Sequence, residues 1–353
     1  MRRAHGRRTL VIGVAALATA LAATIGSMAA AAGRETRPSS GTSTPAATLA
    51  ATAGPATPAP AAGPATTAAT ASTATTTAPA ARPFIATPAA TAAPAPADCI
   101  PTTADGLAGH IEQLSIDGHT VYVDLPGAYA ALSTQRFPVV YFLHGSTGSG
   151  ADWLGSGSTL PTILDGLTAT NVLMPMIAVY PDGDAVTADG NYWGDDSVGD
   201  QDESWMVNQL IPAIDARYRT LGARYRGIAG LSSGGFGALN ISIHHPGTFS
   251  WVASYSGVFS APATLFGAGA AANSPQLTVG GVPASARVPL FVGGGADDTE
   301  YLPDTEHFIA TLQALGWAPL HIQIVPGPHG WQAWQVEAQD SLDWLGQLWG
   351  RAC

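Results

Sequence analysis

Lysine is absent from this chain of 353 residues, and all 14 of its basic residues are arginine. Seven arginines precede residue 98, and the seven that follow are outnumbered by 24 acidic residues. An acidic surface without a basic stripe repels phosphate backbones. The region from residue 98 onward is therefore not expected to bind nucleic acid.

Large apolar side chains are almost missing between residues 34 and 97, where Phe84 and Ile85 are nearly the only ones. The rest of that stretch is almost wholly Ala, Thr, Pro, Ser and Gly. Such a segment cannot bury enough apolar surface to offset the entropy of ordering it. We predict a disordered Ala/Thr/Pro-rich linker at 34–97, and a folded domain at 98–353.

The first 33 residues have the composition of an export segment. Four arginines precede an apolar run that starts at Leu10 and ends in small residues. The run is long enough to span a bilayer, but it is mostly alanine and offers Ala-x-Ala cleavage sites. Residues 1–33 are predicted to be a signal peptide or a membrane anchor. Either form makes the protein secreted or cell-surface, with membrane or cell-wall association through the N-terminus.

Cysteine is scarce, since the chain contains only Cys99 and Cys353. They stand at the first and last positions of the folded region, and export would place them in an oxidising compartment. We predict a disulfide that ties the two ends together, a case in which chain entropy contributes about 4 to 5 kcal/mol at best. Two free thiols are the alternative.

Segments typical of strands and helices alternate after residue 98. Two stretches of alternating polar and apolar residues, HIEQLSID and HTVYVDLP, flank Asp117-Gly118, which is a strong hairpin signal. Short apolar runs follow at FPVVYFLHG, PMIAVYPDG, SWVASYSG, VPLFVGGG and LHIQIVPG, with helical patterns between most of them. This order predicts an α/β fold with a mostly parallel central sheet, helices on both faces and an N-terminal antiparallel hairpin.

The segment GLSSG at residues 230–234 places Ser232 at the centre of a Gly-x-Ser-x-Gly motif. Strand-like RGIA precedes it and helix-like GFGALNISI follows it, which is the context of a nucleophilic serine on a strand-to-helix turn. We therefore predict that Ser232 is a nucleophile. The backbone N–H of Ser233 is a candidate oxyanion donor, because that role falls to the residue after the nucleophile.

A nucleophilic serine needs a base, which is expected after a later strand. Of nine histidines, only His329 lies in a Gly/Pro loop, VPGPHGW, directly after the last apolar run. His244 and His245 end the helix that follows Ser232, so they are expected to cap its carbonyl groups. His329 is the predicted general base.

The acid that orients the base is expected between serine and histidine in chain order. The segment GGGADDTEY follows the strand VPLFVGGG and offers two aspartates. Asp298 is favoured because it lies deeper in the loop, from which it can turn towards His329. Asp297 remains the alternative.

The loop after the buried run FPVVYFLHG has the form of a second oxyanion loop. Its candidate donor is the Ser146 N–H, and His144 is expected to order the loop and to border the substrate pocket. Tyr192 and Trp193 are expected to line the same pocket, because aromatic residues on nearby loops hold apolar substrate groups. The acid-rich stretch from Asp182 to Glu203 does not fit an EF-hand loop, so we interpret it as a solvated loop and predict no metal.

Several of these segments together resemble the esterase D superfamily of α/β-hydrolases. The segments are FPVVYFLHG, NYWGDD, LIPAIDARYR, GIAGLSSGGFGALNISIHHPGTFSWVASYSG and VPGPHGWQAW. The resemblance covers roughly residues 110–350. The superfamily includes feruloyl and acetylxylan esterases and the secreted mycolyltransferases. It implies an α/β-hydrolase fold, a Ser/Asp/His triad and no cofactor.

The resemblance implies an exported serine esterase that hydrolyses small-molecule or carbohydrate esters through an acyl-enzyme intermediate. An acyltransferase that passes the acyl group to a sugar is the first alternative. A cell-surface binding protein without activity, on the same scaffold, is the second. His144 stands where mycolyltransferases often have aspartate, which favours the hydrolytic members.

Overall fold

The computed structural model describes residues 99–100, 109–155, 157–184 and 190–352. The predicted signal or anchor at 1–33, the linker at 34–97 and Cys353 lie outside the described residues. The domain boundaries and the disulfide therefore stay predictions.

Within the described residues, eight strands form one sheet in the spatial order β2-β3-β5-β4-β6-β7-β8-β9. Their bounds are His110–Ile116 (β2), His119–Leu125 (β3), Val139–Leu143 (β4), Ile177–Pro181 (β5), Arg226–Leu231 (β6), Trp251–Tyr255 (β7), Leu290–Gly295 (β8) and Leu320–Val325 (β9). The short strands Cys99–Ile100 (β1) and Arg351–Ala352 (β10) pair in parallel as a separate sheet. The six neighbouring strands β5, β4, β6, β7, β8 and β9 are parallel to one another, as the alternation of strands and helices predicts.

The N-terminal hairpin forms at the predicted turn. Asp117 and Gly118 both have positive φ angles, 51° and 93°, which match a two-residue turn of type I′. Strand β3 then pairs antiparallel with β5, so the hairpin extends the parallel part of the sheet. The predicted mixed α/β architecture is confirmed.

Most of the helices lie between parallel strands along the chain. Their bounds are Ala128–Ala131 (α1), Leu160–Ala169 (α2), Asp202–Trp205 (α3), Ile211–Arg217 (α4), Ser233–His244 (α5), Ala263–Phe266 (α6), Pro275–Thr278 (α7), Leu302–Ala314 (α8) and Trp331–Trp349 (α9). A π-helical turn at Met206–Leu210 joins α3 to α4, and 3-10 turns occupy Gly150–Leu154, Ala223–Tyr225, Gly267–Gly269, Val279–Gly281 and Ala284–Ala286. None of the helices in the described residues is long and apolar enough to cross a membrane.

Both faces of the sheet are buried at its central strands. Alternate residues of β4 show this, because Val139 and Tyr141 pack in one apolar cluster while Val140 and Phe142 pack in another. The second cluster includes side chains of α2 and α9, and the first includes side chains of α4, α5 and α8. Continuous apolar runs are what strands covered on both faces require.

Candidate active site

The parallel strands end at one edge of the sheet, and Ser232 stands there between β6 and α5. Its φ of 55° and ψ of −123° lie outside the regions that non-glycine residues favour. The turn is tight enough that a Cβ on Gly230 would collide with the backbone of Gly234, and one on Gly234 would collide with the carbonyl of Leu143. The motif glycines are therefore required by backbone packing, and they lift the serine above the sheet edge.

The imidazole of His329 lies between Ser232 and an aspartate. Its Nε2 is 2.9 Å from the Oγ of Ser232, and its Nδ1 is 2.7 Å from Oδ2 of Asp298. The other oxygen of Asp298 accepts the Tyr301 N–H at 3.0 Å, and the side chain is almost fully buried. Both carboxylate oxygens thus have donors, which fixes the direction in which the carboxylate points.

Asp297 occupies a different position, although it is the next residue. Its Oδ2 accepts the backbone N–H of Gly327 at 3.1 Å, and the residue is exposed. It stabilises the loop that precedes His329 and makes no recorded hydrogen bond with the imidazole. Of the two candidate aspartates, the structure brings only Asp298 to His329.

The loop after β4 lies directly beside Ser232. A Cβ on Gly145 would be 3.4 Å from the Cβ of Ser232, so Ser146 follows at the edge of the serine turn. The carbonyl of Ser146 accepts the Asn191 N–H at 2.8 Å, which ties this loop to the following acid-rich segment. Ser233 is the first residue of α5, whose N-terminal end carries partial positive charge.

His144 orders this loop from the interior. Its Nε2 accepts the Gly183 N–H at 3.1 Å, so its Nδ1–H donates to the Gly145 carbonyl at 2.8 Å. The side chain is 1% exposed, and burial lowers its pKa below the usual range of histidine. The expected ordering role fits this geometry, but the expected position beside the substrate pocket is wrong, because the ring is buried.

The expected position of Trp193 beside the substrate pocket is also wrong. It is fully buried, its Nε1–H donates to the His144 carbonyl at 3.0 Å, and its ring packs against Gly237 of α5. It is a core residue that supports the loop and cannot line an open pocket. Tyr192 is partly exposed and packs edge-on against Phe236, with ring centroids 5.5 Å apart, so it remains a pocket candidate.

The acid-rich segment is less solvated than its composition suggests. Asp200, Asp202 and Glu203 are buried, and burial raises the pKa of Asp202 to about 7. Among the described residues, His119, Asp184 and Asp202 place ligand-type atoms within 4.8 Å of one another. Both oxygens of Asp202 already accept N–H groups, one from the Asp184 backbone and one from the Asn191 side chain, and we assign no metal to this group.

The two histidines at the end of α5 do not cap that helix with their side chains. His244 and His245 both hydrogen-bond to Glu203 at 2.9 Å, and the second nitrogen of His244 lies 3.0 Å from the Ala272 carbonyl. Burial would raise the pKa of Glu203, but these bonds to the histidines lower it overall. The expectation of carbonyl capping is wrong, and the pair instead anchors the acid-rich segment to α5.

Two aromatic residues beside the imidazole were not foreseen from the sequence. Tyr301 packs on the ring of His329 with centroids 4.4 Å apart, and Trp334 meets it edge-on at 5.1 Å. Their positions close to the candidate triad in the sequence were the available signal. Tyr301 follows Asp298 by three residues, and Trp334 lies in the first turn of α9, five residues after His329. The imidazole is thereby held on two sides by aromatic rings.

Comparison with known proteins assigns the family. Residues 117–345 match the family described as "Putative esterase", and the chain belongs to it. This membership and the sheet topology confirm the expected resemblance to esterase-type α/β-hydrolases.

Individual relatives agree with this assignment. An uncharacterized protein of Corynebacterium glutamicum is 25% identical over 270 residues, which cover 70% of this chain and 60% of that protein. An esterase of Mycobacterium tuberculosis is 36% identical over 150 residues, 41% of this chain and 29% of that protein. This chain thus spans less than two thirds of these curated relatives. The solved structure of a ferulic acid esterase shares the fold, with a TM-score of 0.62, 24% identity, and coverage of 69% of this chain and 98% of that one.

Proposed function

We propose that the protein is a serine esterase that hydrolyses carboxylic ester bonds through an acyl-enzyme intermediate. The observation that carries the proposal is the unbroken contact chain from Ser232 Oγ through His329 to the buried Asp298, at 2.9 and 2.7 Å. Membership of the esterase family supports the same reaction class.

The first step is attack of the Ser232 Oγ on the ester carbonyl. His329 Nε2 takes the serine proton as the new C–O bond forms, and Asp298 stabilises the imidazolium. The imidazolium then returns the proton to the departing alcohol. In the second step, His329 activates water, which releases the acid and restores the serine.

The tetrahedral intermediate carries a negative charge on the former carbonyl oxygen. We assign its stabilisation to the backbone N–H groups of Ser233 and Ser146, which belong to the α5 N-terminus and the neighbouring loop. Preorganised donors of this kind contribute about 3 to 4 kcal/mol each to the transition state. The α5 dipole adds to the first of them.

The aromatic surroundings favour an ester with an apolar or ring-shaped group. Tyr301 is partly exposed beside His329, and Tyr192 is partly exposed near Phe236. Aromatic side chains on loops near a nucleophile commonly bind such groups. The ferulic acid esterase with the same fold supports feruloyl-type esters as the first substrates to try.

The test compares two adjacent serines in the full chain. Ser232→Ala should lower kcat for p-nitrophenyl and feruloyl esters by several orders of magnitude. Ser233→Ala keeps its backbone N–H and removes a buried hydroxyl that has no hydrogen-bond partner among the described residues, so it should stay within tenfold of the parent. Equal losses in both variants, or a folded parent without turnover, would contradict the proposal.

Product analysis with and without sugar acceptors extends the test. Free acid as the product in the presence of acceptors supports hydrolysis, and an acylated sugar supports the transferase alternative. A folded protein that binds carbohydrate but cleaves no ester would support a binding role. Export forms part of the proposal because of the N-terminal composition, and N-terminal sequencing of protein recovered from the medium or the cell envelope would test it.

A further inference from the structure

Glu337 is an acidic side chain in the interior of the domain. It lies on α9 and is 0% exposed. Its Oε1 accepts a hydrogen bond from the Ser256 hydroxyl at 2.9 Å, whereas its Oε2 has no hydrogen-bond partner among the described residues. The carboxyl group packs against Gly293 of β8, where a Cβ would come within 2.5 Å of Oε2. Only a strand residue without a side chain leaves room for the acid.

The surroundings of Glu337 disfavour a negative charge. In the part of the chain that the structure describes, no arginine or histidine forms an ion pair with it. The titratable groups that face it are Asp298, from the loop after β8, and the phenol of Tyr255, from β7. On β9 and further along α9, His321 and Asp340 bind each other at 2.9 Å.

A buried, unpaired carboxylate is costly, so the group retains its proton. Burial, with a smaller contribution from the nearby Asp298, raises the pKa of Glu337 to about 8 against the opposing hydrogen bonds from the side chain and backbone of Ser256. Glu337 is thus uncharged at neutral pH.

The end of β7 connects Glu337 to the candidate nucleophile. Ser256 has a positive φ of 44°, and its N–H donates to the Gly293 carbonyl at 3.0 Å. The carbonyl of the preceding residue, Tyr255, accepts the N–H of Ser232 at 2.9 Å. The Tyr255 hydroxyl also lies 2.7 Å from Ser341 Oγ, one turn beyond Glu337 on α9. Helix α9 therefore holds this strand end through two side-chain contacts.

We propose that Glu337 is a positioning residue: as an uncharged acid, it ties α9 to Ser256 and so fixes the strand end to which the Ser232 N–H is bonded. The inference rests on the proposed esterase function. Ionisation of Glu337 would place a second negative charge near Asp298, and hydration of that charge would require α9 to separate from β7 and β8. Activity should therefore fall when Glu337 loses its proton.

The first experiment measures kcat against pH for the full chain, Glu337→Gln and Asp340→Asn. The parent should lose activity above pH 8 by about tenfold per pH unit, as one ionisation requires. Glu337→Gln keeps the shape without the charge, so its kcat should stay level to about pH 10. Asp340→Asn alters a carboxyl on the same helix that is only partly buried, and it should keep the parent's alkaline limb.

A second variant covers the case in which Glu337→Gln does not fold. Ser256→Ala removes the hydroxyl bond, which is the larger of the two Ser256 hydrogen bonds that favour the charged carboxylate, so the alkaline limb of this variant should move to higher pH while kcat falls. A parent without an alkaline limb would overturn the inference. The same limb in Glu337→Gln, or an unmoved limb in Ser256→Ala, would also overturn it.

Failure of the proposed function gives a different result. If the folded parent cleaves no ester, the esterase hypothesis fails. Thermal melting between pH 5 and pH 8 still tests whether Glu337 is protonated in the folded protein. The melting temperature of Glu337→Gln relative to the parent should rise across this range. A constant difference would show that Glu337 does not take up a proton on folding.

Discussion

Replacement of Asp298 by asparagine offers a sharp test of the candidate triad, because the structure dictates which way the new amide must point. Oδ1 of Asp298 accepts the Tyr301 N–H at 3.0 Å, so the amide oxygen of asparagine will keep that position. The amide NH2 will then face His329 Nδ1, which currently lies 2.7 Å from Oδ2.

The consequence is the wrong tautomer of the histidine. Nδ1 must accept from the amide, so the ring proton moves to Nε2 and is directed at the Ser232 hydroxyl, which lies 2.9 Å away. In this form His329 cannot take the serine proton. Such a substitution lowers kcat by about 10⁴-fold in a serine hydrolase, or roughly 5 kcal/mol of transition-state stabilisation.

Asp297→Asn is the matched control, since it makes the same chemical change one residue earlier. Asp297 accepts only the Gly327 N–H among the hydrogen bonds recorded for its side chain, and asparagine can still accept it. Its kcat for p-nitrophenyl esters should stay within about tenfold of the parent, while circular dichroism shows that both variants are folded. Comparable losses in the two variants, or more than a tenth of parental kcat in Asp298→Asn, would refute the reasoning.

Three further predictions concern the support of the site. Gly234→Ala places a Cβ against backbone carbonyls at the end of β4 and should destabilise the fold by about 1 to 3 kcal/mol in urea unfolding. Tyr301→Leu removes the ring that packs on the imidazole, and kcat should fall by about tenfold with little change in stability. Glu203→Gln should destabilise the fold by about 2 kcal/mol, most strongly between pH 4.5 and 6.5, measured by urea titrations at several pH values. Above pH 4.5 the unfolded chain carries the ionised acid and the lowered pKa of Glu203 contributes fully, whereas the raised pKa of His244 contributes fully below 6.5 and is lost as the pH rises.

Much of the fold could be predicted because buried parallel strands have a distinctive sequence pattern. The strand β4, with the sequence VVYFL, is apolar and buried at every position, since helices cover both faces of the sheet. The candidate triad followed from chain order, because each of its members lies just after a strand end. The choice between Asp297 and Asp298 needed the structure, since adjacent residues in a turn point in different directions.

The sequence was less informative where burial depends on tertiary packing. His144 and Trp193 lie in segments that resemble exposed active-site loops, yet both side chains are buried against each other.

The sequence indicates the burial of Glu337 only weakly. It lies four residues after Ala333 and four before Ser341, and all three are buried on one stripe of α9. An acid on the core-facing stripe of an amphipathic helix indicates a neutral or paired group, but only the packing shows which.

That buried acid also has a measurable effect on stability. A folded pKa of about 8 against 4.5 in the unfolded chain means that Glu337 takes up a proton on folding throughout this interval. Stability therefore falls as the pH rises from 4.5 to 8 and is independent of this group above 8. At pH 7 the cost is on the order of 3 kcal/mol, because each unit of pKa difference corresponds to about 1.4 kcal/mol. Glutamine takes up no proton on folding, so Glu337→Gln should gain stability relative to the parent from pH 5 to pH 8 in urea unfolding. A gain in stability together with an unchanged neutral kcat would indicate that the uncharged shape of this side chain, and not its charge, supports the Ser232 turn.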